Sequence, residues 1–184
     1  MYVIKVKRII AILLMLGTAG LSLTANAAVI PADGITPPEL PALCSTLEPQ
    51  VGTEAAFHAY AIGVQIYRWN GAAWVFVAPS ANLYADRGYH GKVGTHYAGP
   101  IWESNSGSNV IARKSGECTP DAAAIPWLLL DATLTEGPGV FRGVTQIQRV
   151  NTTGGSAPAL PGSFVGQESR VSYTAEYYFY KAAN

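Results

Sequence analysis

Between residues 86 and 103 the chain gathers groups that could hold or move a proton. Asp86-Arg87-Gly88-Tyr89-His90-Gly91-Lys92-Val93-Gly94-Thr95-His96 contains two of the three histidines and an acid in a glycine-rich stretch, and Glu103 follows seven residues after His96. Imidazole is the side chain that titrates near neutral pH, and a carboxylate beside it can orient it for proton transfer. Glycines at 88, 91 and 94 permit sharp turns, so these groups could converge at one mouth of a β domain. The chemical reading makes His96 and Glu103 a hydrogen-bonding or proton-transfer pair, with His90, Tyr97, Trp102 and Trp74 as ligand-binding neighbours. A second use of the segment is a divalent-metal site on Asp86, His90 and His96, although H-x5-H is not a diagnostic ligand spacing. The plain structural alternative has His96 hydrogen-bonded for stability, Glu103 facing water on a strand and His90 on a loop.

Other chemistry-bearing patterns are thin. No G-x-S-x-G elbow and no H-E-x-x-H occurs, so nothing local pairs a nucleophile with a base or chelates zinc. Glu54, Glu103, Asp131 and Glu176 could meet in space as the two acids of a glycosidase do, which sequence alone does not show. Trp69, Trp74, Trp102 and Trp127, with Tyr60, Tyr67, Tyr84 and Tyr97, could form a stacking platform for sugar rings; in strands such residues more often serve packing. Gly137-Pro138-Gly139 with Gly143 imitates a dinucleotide fingerprint. Its last spacing is one too long and a strand follows it, so it reads as a hairpin turn.

The elements that must position these groups read as antiparallel strands. Val64 to Trp69 and Ala72 to Val77 flank Asn70-Gly71, a strong hairpin signal because both residues tolerate positive φ. A two-residue turn there pairs Tyr67 with Trp74, Gln65 with Phe76 and Ile66 with Val75. Ile101 to Glu103 and Asn109 to Ala112 suggest a second hairpin around the turn-rich Ser104 to Ser108. Thr119-Pro120-Asp121 begins at most one helical turn before Pro126. Trp127 to Leu130 is a buried strand, and Gly143 to Val150 is another. From Arg170 to Phe179 the chain alternates with period two, and Asn151 to Ser169 is a long connection. The fold expected is a single all-β domain over residues 51–184, an antiparallel barrel or sandwich of about seven to ten strands.

Ahead of that domain stand two segments. Lys5, Lys7 and Arg8, the apolar run Ile9 to Leu23 and Ala25-Asn26-Ala27 have the order of a cleavable export signal over residues 1–27. The apolar run is about 15 residues, short of the roughly 20 that span a bilayer as a helix. Residues 28–50 carry five prolines, Pro31, Pro37, Pro38, Pro41 and Pro49, and read as an extended arm. Cys44 and Cys118 fall in the exported part, where a disulfide closing about 75 residues is the simplest reading. Without the leader, nine Lys and Arg face twelve Asp and Glu, a net charge near −3. No basic patch argues for nucleic acid or for anionic membrane surfaces as partners, and no cofactor is indicated.

As an ordered set, several segments resemble a known family. These are Gly63-Val64-Gln65-Ile66-Tyr67 with Trp74, Ala78-Pro79-Ser80-Ala81-Asn82-Leu83, and His96-Tyr97-Ala98-Gly99-Pro100-Ile101-Trp102-Glu103. They continue with Ile125-Pro126-Trp127-Leu128-Leu129-Leu130, Gln148-Arg149-Val150-Asn151-Thr152-Thr153-Gly154-Gly155, and Tyr173-Thr174-Ala175-Glu176-Tyr177-Tyr178-Phe179-Tyr180. Together they resemble a family of secreted domains of unknown function found in bacteria and fungi, over nearly all of Val51 to Lys181. The resemblance implies an exported, single-domain protein with no established activity. Its members often carry one cysteine just after the Q-x-Y segment and another after the Gly-Gly segment. Arg68-Trp69 and the cysteine-free stretch Ser156 to Val165 show that any such bridge is lost here. Some relatives are labelled malate dehydrogenase, which the missing dinucleotide fingerprint and the export signal do not support.

The expectation is therefore a secreted or periplasmic β protein that leaves the membrane after signal cleavage. It would act as a non-catalytic module for a small-molecule, glycan or protein ligand. The alternative is a hydrolase of an extracellular polymer acting through paired carboxylates.

Overall fold

The computed structural model describes residues 35–183, so the export signal expected over residues 1–27 lies outside the described residues. Eight strands follow one another among these residues: β1 (Thr53–Trp69), β2 (Trp74–Tyr84), β3 (Lys92–Tyr97), β4 (Ile101–Ser104), β5 (Asn109–Cys118), β6 (Trp127–Glu136), β7 (Val144–Gly154) and β8 (Glu168–Ala182). Each pairs antiparallel with its sequence neighbours, and β1 pairs with β8, so the sheet closes into an up-and-down barrel. Closure settles the choice between barrel and sandwich.

Side-chain alternation sorts the wall into two faces. On β8, Tyr173, Ala175, Tyr177 and Phe179 belong to the main interior cluster. Across the seam they face Gly63, Ala61, Ala59 and Phe57 of β1. At Gly63 and Ala59 a tyrosine of β8 fills the space that the small residue leaves, a fit that a small barrel's interior requires. At one end, Phe57, Phe141 and Phe179 form an aromatic plug, with Phe141 centroids 5.7 Å and 4.6 Å from the other two rings. Phe141 comes from the β6–β7 loop, and its backbone N–H donates to Ser108 Oγ.

The first hairpin departs from the expected register. Its turn spans four residues, because Asn70 Oδ1 accepts the N–H groups of Ala72 and Ala73 and the Asn70 N–H donates to the Ala73 carbonyl. Trp69 therefore faces Trp74, Tyr67 faces Phe76 and Gln65 faces Pro79, with a bulge after Ile66. Other elements match: β4 pairs β5 through Trp102 and Val110, and the 119–126 segment holds one turn, with Asp121 accepting from the Ala123 and Ala124 N–H groups. The last connection is shorter than expected, because β7 runs to Gly154 and β8 starts at Glu168.

The proline-rich arm is not wholly extended. Ala42–Leu47 forms a 3-10 helix, begun by the Cys44 N–H donating to the Pro41 carbonyl. The fixed φ of Pro41 suits that start, and a disulfide from Cys44 to Cys118 ties the helix to the end of β5. Beneath the arm, Leu47 packs with Leu129, while Leu40 and Ile35 cover Val150, Tyr178 and Tyr180 on the outer wall. Gln148 Nε2 donates to the Leu47 carbonyl at 2.7 Å. The two stretches where the resemblance places further cysteines lie close together, the Trp69 ring packing over Gly162.

Candidate functional site

The plug fills one end of the barrel, and the other end is hollow. A cavity of about 230 Å³ is lined by Gln65, Phe76, Pro79, His96, Pro100, Trp102, Lys114, Leu128, Leu130, Arg149 and Tyr177. Alternation places these side chains inside: Gln65 continues the inward row of Ala59, Ala61 and Gly63, and His96, Trp102, Leu130, Arg149 and Tyr177 hold the matching positions on later strands. Phe76, Pro100 and Lys114 are exposed and mark the mouth. Over the same end folds the 119–126 segment, anchored by the Ile125 N–H to the Gly154 carbonyl and by Thr152 Oγ1 to the Ile125 carbonyl.

Polar groups in this wall fall into satisfied and unsatisfied sets. His96 Nδ1–H donates to the Ile101 carbonyl at 2.9 Å, which fixes the tautomer and leaves Nε2 as an acceptor. The ring stacks on Trp102 at 4.1 Å and meets Tyr177 edge-on at 5.4 Å. Burial pushes its pKa down to about 3, so it stays neutral. Burial likewise raises the pKa of Tyr177 and Tyr173, which keep their protons. Arg149 donates Nε–H and Nη2–H to the Pro126 carbonyl at 3.2 Å and 2.8 Å, and Tyr67 O–H donates to the Gly155 carbonyl. Two side-chain donor nitrogens, by contrast, have no hydrogen-bond partner among the described residues: Gln65 Nε2 and Trp102 Nε1. Their residues are 2% and 1% exposed, so bulk water does not serve them. An unpaired buried donor costs about 1–3 kcal/mol, enough to demand an explanation.

His96 and Glu103 are not brought together. Both belong to the β3–β4 hairpin, but His96 points into the barrel opposite Trp102, while Glu103 stands outside, where its Oε2 accepts from the Tyr97 O–H at 2.7 Å. The odd spacing of seven residues carries the two across a turn to opposite faces. Asp86 and His90 hydrogen-bond to each other at 3.1 Å on an exposed loop, apart from His96. No cluster of three His, Cys, Asp or Glu suited to a metal occurs among the described residues. Trp102 lies in the cavity wall, whereas Trp74 sits at the first hairpin, donating Nε1–H to the Leu160 carbonyl. Trp127 is under the arm, and Trp69 and Trp74 pair with ring centroids 5.5 Å apart at the first hairpin, so the four tryptophans are not gathered on one platform.

The acids are dispersed as well. Asp131 accepts from Arg113, Ser115 and Gln146, and Glu176 accepts from His58 Nε2–H, Tyr178 O–H and Arg87 on the outer wall. Sequence reasoning passed over Gln65, Lys114, Leu130, Arg149 and Tyr177. Only Gln65 carries a local signal, a polar residue set between the apolar Val64 and Ile66; Arg149 stands between Gln148 and Val150 and Lys114 between Arg113 and Ser115, where nothing marks them.

An antiparallel up-and-down barrel, plugged at one end and hollow at the other, is the class of protein that fold and site define. Residues 49–181 match the family described as Protein of unknown function (DUF3455), and the chain belongs to that family. No curated protein and no solved structure matches the chain significantly. Among the described residues no helix is long and apolar enough to cross a membrane.

Proposed function

We propose that this barrel binds a small organic molecule in its open end, without chemistry, after export from the cytoplasm. The observation that carries the reading is the pair of unpaired donors, Gln65 Nε2 and Trp102 Nε1, in the wall of one 230 Å³ cavity. Both nitrogens are enclosed, so a ligand acceptor would satisfy them once their side chains turn toward the cavity they line, and an apolar lining with a few placed polar groups is what small-molecule sites use. Support for a non-catalytic role comes from the lining itself, which holds no carboxylate, serine or cysteine and whose one histidine is neutral and committed through Nδ1. Export is supported by the basic start and apolar run of residues 1–27, and the Cys44–Cys118 disulfide is compatible with an oxidising compartment.

Screening a diverse fragment library against ¹⁵N-labelled protein tests the reading. Fragments bearing an acceptor should shift the Trp102 indole N–H and the Gln65 side-chain amide resonances and raise the melting temperature. If no fragment moves those signals at millimolar concentration, or ordered waters bridge both donors and resist displacement, the reading fails.

A further inference from the structure

Resting on the proposal that the cavity binds a small molecule, we infer that its ligand is an aromatic carboxylate of one or two rings. Charge decides the first half. Arg149 is a half-buried guanidinium on an inward position of β7, and no carboxylate lies within ion-pair distance of it among the described residues. Two of its five N–H groups are spent on the Pro126 carbonyl, leaving three free of that carbonyl. The other basic lining residue, Lys114, has its ammonium paired with Glu117, so Arg149 supplies the unbalanced charge. Added to it are the donors on Gln65 and Trp102, both without partners. A wall with one uncompensated cation, two idle N–H donors and no acid selects a ligand rich in acceptors and negatively charged.

Shape and size decide the second half. Phe76, Pro79, Trp102, Leu128, Leu130 and Tyr177 make the rest of the wall apolar and partly aromatic, which suits a flat ring. A cavity of about 150 Å³ takes one benzene. The extra space in 230 Å³ leaves room for a carboxylate with a short link or a second fused ring, and excludes an extended lipid or an oligosaccharide.

Isothermal titration calorimetry at low salt, using the disulfide-bonded protein, separates the claims. The probes are benzoate, phenylacetate and 2-naphthoate, their neutral counterparts benzyl alcohol, 2-phenylethanol and 2-naphthalenemethanol, and acetate. A charge-assisted pair should make each arene carboxylate at least about tenfold tighter than its alcohol. That preference should vanish in Arg149→Gln and persist in Arg149→Lys. If the alcohols bind as well as the carboxylates, the anion claim falls and a barrel for neutral ligands stands. Acetate matching benzoate removes the ring from the proposal. Should no probe bind while other acceptor-bearing fragments still shift the Trp102 N–H, the inference falls and the reading beneath it stands; if no fragment shifts that signal either, both fall. Where Arg149→Gln does not fold, the comparison of carboxylate with alcohol on the unaltered protein decides alone.

Discussion

A histidine whose ring is sealed between Trp102 and Tyr177 cannot take a proton without carrying charge into an apolar interior. In the unfolded chain the same ring titrates near 6.5, while in the barrel its pKa is about 3. Between those values the unfolded state binds the extra proton, so stability is lost as pH falls from about 6.5, by up to about 1.4 kcal/mol per unit. His58 is also pushed down, by burial that outweighs its Glu176 partner, and adds to the loss with the same sign. Replacing His96→Asn keeps a donor for the Ile101 carbonyl and removes the titration. Urea unfolding at pH 7.5 and 5.0 should show the natural chain losing about 2 kcal/mol more than the variant across that interval. Equal losses would return His96 to an ordinary titrating group.

Strand pairing in this barrel depends on residues that lack side chains at the point of closest approach. A Cβ on Gly63 would lie 2.2 Å from the Ser80 carbonyl oxygen and 2.5 Å from Ala81 Cα, and β1 cannot then sit beside β2. Since the obstacle is backbone, Gly63→Ala should destabilise by about 3 kcal/mol, read from the shift in denaturant midpoint at constant m-value. A cost under about 0.5 kcal/mol would show that β2 can give way. The strands themselves were legible from alternation and turn residues, β8 most clearly. Which face of β1 turns inward was not, because its inward row is Ala59, Ala61, Gly63 and Gln65 while Ile62, Val64 and Ile66 point out. Hydrophobicity names the wrong face there, since the bulk that fills the interior arrives from Tyr173, Tyr177 and Phe179 far along the chain. For the same reason the cavity was hidden. Gln65 and Arg149 become a site only when β1 and β7 lie on either side of β8. His96 was legible as unusual and Trp102 as a neighbour, but the partner drawn for His96 was the acid nearest in sequence and not the groups across the barrel.

The arm converts a barrel with an apolar outer patch into a sealed molecule. It lays Leu40 and Leu47 over Trp127, Leu129, Val150, Tyr178 and Tyr180, and one covalent link spanning 74 residues holds it there. Loop-closure entropy assigns that link about 4 kcal/mol. Cys44→Ala with Cys118→Ala should therefore lower unfolding free energy by roughly that amount and expose the Tyr178–Tyr180 patch to a hydrophobic dye before global unfolding. Unchanged stability with no dye binding would show that the arm stays docked by packing alone. The seam between β1 and β8 has a different kind of consequence, one of timing. The first strand made finds one of its two neighbours only when residues 168–182 have been synthesised, so until then β1 and β7 each present a free edge. No partial chain can shut the ring, and the cavity exists only as a late product of folding. A chain that ends anywhere before β8 therefore presents an open, adhesive sheet in place of a closed barrel, and its edges need shielding until the final strand arrives.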